Sequence, residues 1–135
     1  FECSHVPVEI TYGLERICMF TQQVKNVYDL IWNDDEIKYG EVFHQAEKEF
    51  SAYNFEYANT DNLLKMFEMF ETEAKTLVKN NLSLPAYDQC LKASHVFNIL
   101  DARGVISVAQ RAGYIGRIRD ITKGVAEIWL SSQSK

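Results

Sequence analysis

The period of the apolar residues changes once, abruptly, near the start of this chain, and that change limits the folds open to it. Val8, Ile10 and Tyr12 alternate with Glu9 and Thr11, the two-residue period of a strand with one covered face. After Gly13 the spacing turns helical, with Leu14, Ile17, Cys18 and then Gln22 on one side. The stretch predicts a strand running through a glycine into a helix. Glycine at such a junction lets a ligand come close to the backbone. Arg16, three residues on, adds positive charge to a helix N-terminus that already favours anions. A cation there is slightly unfavourable for the helix itself, so the pattern points to an anionic ligand. An ordinary junction with a surface arginine is the other reading that the spacing leaves open.

The rest of the chain is patterned for helices. Val27–Trp32 is a short apolar segment, closed by the polar break Asn33-Asp34-Asp35-Glu36, which lacks the spacing of a calcium loop. Residues 41–53 read as a helix with Val42, Ala46, Phe50 and Tyr53 on one face; His44 and Glu47, three apart, read as a surface pair. Asn59 or Thr60 caps a long helix to about Lys79, striped by Leu63, Phe67, Phe70, Ala74, Leu77 and Val78. Pro85 suits the first turn of a helix that reaches Ala102 or Arg103, with Gly104 as its C-terminal cap and His95 partly buried. Ser107 and Gln110 form a capping box for a last helix to about Leu130, with Ala112, Ile115, Ile118, Thr122, Val125 and Trp129 inward. Gly113, Gly116 and Gly124 interrupt it at positions suited to close helix packing. The expected fold is mainly α, a helical bundle preceded by one β-strand. Two domains are expected, residues 1–32 and residues 33–135.

Composition narrows the function. With 135 residues, 47% hydrophobic and 24% charged, the chain can bury one reasonable core and is not disordered. No apolar run approaches the ~18 residues of a membrane span. Cys3, Cys18 and Cys90 are odd in number and lack a C-x-x-C pair, which argues against a disulfide framework or a zinc site and suits a reducing cytoplasm. No metal set is expected. The net charge of −5 opposes indiscriminate nucleic-acid binding, but it is uneven: residues 33–76 hold eleven acids and four bases, residues 103–123 five bases and one acid. Any nucleic-acid contact is therefore expected from the C-terminal part. The first residue, Phe1, is not a methionine and suggests part of a longer parent.

The run E-I-T-Y-G-L-E-R (9–16) resembles the third signature motif of class II aminoacyl-tRNA synthetases. V-Y-D-L-I-W (27–32), Y-G-E-V-F-H-Q (39–45), Y-N-F-E-Y-A (53–58), L-P-A-Y-D (84–88) and F-N-I-L-D-A-R-G-V-I-S-V (97–108) follow in order. Together they resemble the α chains of bacterial heterotetrameric glycyl-tRNA synthetases, from about Glu2 to Leu130. The resemblance implies that the strand belongs to the antiparallel sheet of a class II catalytic domain. It implies a glycine–tRNA ligase that activates glycine with ATP, accompanied by Mg2+, and transfers it to tRNA(Gly). Arg16 matches the motif's catalytic arginine, stacking on adenine and reaching the γ-phosphate, and Gly13, Glu15 and Arg16 would contact ATP. Glu2, Glu9 and Thr11 would lie near glycine, although Glu2 reads equally well as a solvated acid. The first two class II motifs are absent, so this chain is expected to be inactive alone. A β chain and a second α chain are the expected protein partners.

L-D-A-R-G-V-I-S-V (100–108) followed by R-A-G-Y-I-G-R-I-R (111–119) is similar to the helical region after the catalytic core of alanyl-tRNA synthetase, which binds the tRNA acceptor stem. It implies phosphate contacts from Arg111, Arg117 and Arg119. Arg117 and Arg119 cannot share one helix face, so at least one is expected to be structural. The alternative function is a helical interaction module that docks tRNA or the β chain without catalysis of its own.

Overall fold

A computed structural model describes residues 5–133. Its described residues form five α-helices: α1 (Leu14–Thr21), α2 (Tyr39–Ala52), α3 (Thr60–Lys79), α4 (Ser83–Ala102) and α5 (Val108–Gln133). A 3₁₀ turn (Val27–Asp29) precedes α2 and a π-helical turn (Tyr53–Tyr57) follows it. The chain divides into two compact units, Phe1–Tyr53 and Asn54–Lys135. Within the first unit α2 packs on the 3₁₀ turn.

The second unit is a three-helix bundle. Asn59 caps α3 by accepting from the Asn62 N–H at 2.9 Å. Helix α4 ends at Gly104, whose φ of 68° is the left-handed cap conformation that glycine adopts without Cβ strain. The Ser107 hydroxyl and the Gln110 side chain then reciprocate hydrogen bonds at the start of α5. Phe67 and Leu100 are wholly buried at the centre, with Leu63, Val96, Phe97, Ile99 and Ile106 around them. A second layer of Ala74, Ala86, Cys90, Ile121 and Val125 continues the core along the bundle. Gly124 admits Val78, whose Cγ1 would lie 3.1 Å from an added Cβ, whereas Gly113 and Gly116 have no neighbour within 4 Å. Only the first of these three glycines serves close helix packing. Ile121 takes the buried place expected for Thr122, which is exposed. His95 is exposed rather than partly buried, so it does not need the internal hydrogen bond that burial would impose.

The first unit has little core: Leu30 is its one buried hydrophobic residue among those described. The expected strand at residues 8–12 is absent, and no β-strand forms among the described residues; the one backbone bridge joins Ile31 and Lys38. A strand is made by pairing its backbone with a neighbour, and no described segment pairs with residues 8–12. Val8 (87% exposed), Ile10 and Tyr12 therefore stand in solvent. Local geometry preserves the alternation, since the Thr11 hydroxyl donates to the Glu9 carboxylate on the opposite face.

Candidate functional site

Gly13 fixes the start of α1. Its φ of 75° and ψ of 119° lie in a region that side chains with a Cβ disfavour. Its carbonyl accepts from the Ile17 N–H at 3.3 Å, the first bond of the helix. No side chain caps this N-terminus, so free N–H donors face outward there, as they do wherever a helix starts uncapped. Arg16 stands one turn into α1 with its Cδ at 4.0 Å from the place of a Gly13 Cβ. The guanidinium is exposed and has no ion-pair or hydrogen-bond partner among the described residues. A fork of unused donors beside an uncapped helix start and a bare glycine backbone is a surface suited to a phosphorylated, planar ligand.

The helix is held in place from its other end. The Gln22 side-chain amide donates to the Ile31 carbonyl at 3.1 Å and accepts from the Ile31 N–H at 2.8 Å. One amide thus plays the part of a strand neighbour and ties the end of α1 to the segment before α2. Gly40 allows α2 to sit on the 3₁₀ turn, because a Cβ there would lie 2.9 Å from Tyr28 Cβ and 3.0 Å from its carbonyl oxygen. The Tyr28 hydroxyl donates to Glu47 at 2.9 Å, and the Tyr28 ring packs on His44 at 4.5 Å. That hydrogen bond raises the Tyr28 pKa above 10, because ionisation would bring a phenolate against the Glu47 carboxylate. The His44–Glu47 pair is therefore part of an aromatic support. No cluster of three His, Cys, Asp or Glu side chains able to hold a metal occurs among the described residues.

Of the residues expected to surround substrates, Gly13 and Arg16 are brought together, and Glu9 and Thr11 share a hydrogen bond. Glu15 lies in the wall of a cavity of about 340 Å³ with Cys18, Trp32, Tyr39 and Phe43. Glu2 lies outside the described residues. Sequence reading missed Gln22, since a glutamine just after a helix carries no signal that it will bond a backbone nine residues away. It also missed the support from Gly40, although a glycine in the first turn of a helix is an anomaly that signals close approach.

The bundle carries the other candidate residues. Arg117 points back into the protein. Its guanidinium bridges Glu71 through Nε at 3.0 Å to Oε1 and through Nη2 to Oε2, and lies 4.6 Å from the Phe67 ring centroid and 5.0 Å from that of Tyr114. Glu71 is 6% exposed and also accepts from Lys75 at 2.8 Å. The Arg117 hydrogen bonds hold its carboxyl down from the ordinary 4.5 to about 2, against the opposing effect of burial. The same pairing raises the Arg117 pKa. Arg111 pairs with Asp101 at 3.0 Å. Arg119 is exposed and has no partner among the described residues.

The described residues thus set Arg16 beside a positive-φ glycine at the start of α1 and place a compact three-helix bundle later in the chain. The family model described as "Glycyl-tRNA synthetase alpha subunit" matches residues 1–134, and the chain belongs to that family. Membership implies a tRNA ligase as the parent assembly, with tRNA and a further subunit as its partner classes. No helix among the described residues is long and apolar enough to cross a membrane.

Proposed function

We propose that this chain supplies the third-motif wall of the adenylation site in a glycine–tRNA ligase. The observation that carries the reading is the uncommitted Arg16 guanidinium beside Gly13 at the uncapped start of α1. In the reaction a glycine carboxylate oxygen attacks the α-phosphorus of ATP. Pyrophosphate leaves and glycyl adenylate forms; a hydroxyl of the terminal adenosine of tRNA(Gly) then takes the acyl group and AMP leaves. Negative charge shifts onto the departing pyrophosphate, and a cation already in position stabilises it without reorganising. Arg16 stacks its plane on the adenine and directs its donors at the γ-phosphate. Gly13 leaves the backbone bare where the nucleotide lies, and Glu9 and Thr11 face the glycine side. ATP enters as its Mg2+ complex. Glu15 lines a cavity that Arg16 does not line, and it has no part in this arrangement.

The extended segment 6–12 completes its pairing in the sheet of the assembled catalytic domain, which includes a second α chain. The bundle contacts tRNA(Gly) or the β chain. Arg119 is the residue best placed for a phosphate, and Arg117 maintains the bundle. The parent assembly should show glycine-dependent exchange of pyrophosphate into ATP, whereas this chain alone should show none. Exchange by the purified chain alone, or exchange in the assembly that does not depend on glycine, would refute the proposal. A second reading, docking without catalysis, is favoured only by the self-sufficiency of the bundle. Salt-dependent RNA binding by the chain would identify tRNA as the docked partner.

A further inference from the structure

We infer that the cavity between α1, the segment Leu30–Trp32 and α2 is a docking site for an arginine side chain carried by a protein partner. Three rings line it. Trp32 meets Tyr39 edge-on at 5.7 Å and Phe43 edge-on at 5.0 Å, and the Tyr39 and Phe43 centroids are 4.6 Å apart. Glu15 is the one charged side chain in the wall, and it has no cationic partner among the described residues. Aromatic faces attract cations and repel anions, so the rings and the carboxylate act in the same direction. The surrounding field agrees, because residues 1–53 carry ten acids against four bases, a net charge of −6. A phosphate or a carboxylate is excluded on the same grounds.

The volume of about 340 Å³ lies at the small end for ligand pockets and suits one long side chain rather than a helix. Arginine fits better than lysine, since its plane stacks on rings while its fork meets a carboxylate. The rim favours a polypeptide over a free amine. Leu14 and Ile31, both in the wall, are 77% and 50% exposed, an apolar edge beside a polar anchor as in protein interfaces. Arg16 does not line this cavity, so the inference stands or falls separately from the nucleotide reading.

The test is a titration of the full chain followed by the Trp32 indole and Cys18 amide signals in NMR. The probes are N-acetyl-arginine methylamide, its uncharged citrulline counterpart, and a blocked leucine–arginine–leucine tripeptide. The arginine probe should shift both signals below about 50 mM, the range of a weak single-side-chain ligand, and the citrulline probe should not. The tripeptide should bind severalfold more tightly, and Glu15→Gln should weaken the arginine probe about fivefold, as for one solvent-accessible charge pair. Glu15 lies on an exposed helix surface, so folding of that variant is checked by an otherwise unchanged spectrum. Equal response to citrulline, no response at all, or an unchanged affinity in Glu15→Gln would overturn the inference. No gain from the leucines would mark a small-molecule site and overturn the docking role.

Discussion

The two units of this chain bury their apolar residues to very different extents. In the bundle, Phe67 is 0% exposed and three helices share one continuous core. In the first unit Phe20 is 85% exposed, Val8, Ile10, Tyr12 and Leu14 are open, and polar and aromatic devices replace a core: the Gln22 amide, the Gly40 contact and the Tyr28–Glu47 bond. The bundle is stabilised from within the chain. The first unit presents exposed apolar residues and an Arg16 guanidinium without a partner among the described residues.

That contrast predicts the largest difference for equivalent truncations. Phe67→Ala should destabilise the bundle by about 3–5 kcal/mol, the usual cost of emptying a buried aromatic site, and Phe20→Ala should stay within about 0.5 kcal/mol. Denaturant unfolding of both variants measures this. A large loss for Phe20→Ala would mean that the first unit has a core of its own and would break the comparison.

The next effect is pH-dependent. Glu71 has its carboxyl held from 4.5 down to about 2 in the folded protein. The folded state therefore binds that proton more weakly than the unfolded chain does. The pair contributes in full above the ordinary carboxylate range, and its contribution is lost as pH falls from about 4.5 toward 2. The loss should be on the order of 2 kcal/mol. Glu71→Gln should abolish this component of the acid dependence, to be read from unfolding midpoints across that range.

A third measurement separates the two arginines that lie two residues apart on α5. Arg117→Ala removes the partner of a buried carboxylate and should cost roughly 3 kcal/mol of stability. Arg119→Ala should leave stability within about 0.5 kcal/mol while reducing the slope of log affinity for tRNA against log salt by about one. Loss of stability in Arg119→Ala would make both arginines structural and remove the tRNA contact.

The legible parts of the fold were those whose causes are local. Asn59, Lys79, Gly104 and the Ser107–Gln110 box marked helix ends through hydrogen bonds that span a few residues, and the structure has those ends. The start of α1 after Gly13 was legible for the same reason, because a glycine followed by helical spacing is a local signal. Residues 8–12 carried a strand's alternation, but pairing is non-local and no described segment supplies it. Nothing local singles out Glu71; its burial goes with Arg117, 46 residues away.

The central claim is that Arg16 acts on a ligand and not on the fold. Its most direct test is Arg16→Lys in the assembled parent enzyme, with ATP-dependent glycine activation and thermal unfolding without ATP measured on the same variant. Lysine keeps the charge and has nearly the same helix propensity, but loses the plane and the forked donors. Losing such a charge-assisted contact costs about 1.5–3 kcal/mol, so kcat/KM for ATP should fall roughly tenfold to a hundredfold while Tm stays at the wild-type value. Activity and Tm both unchanged, or both lowered together, would contradict the account.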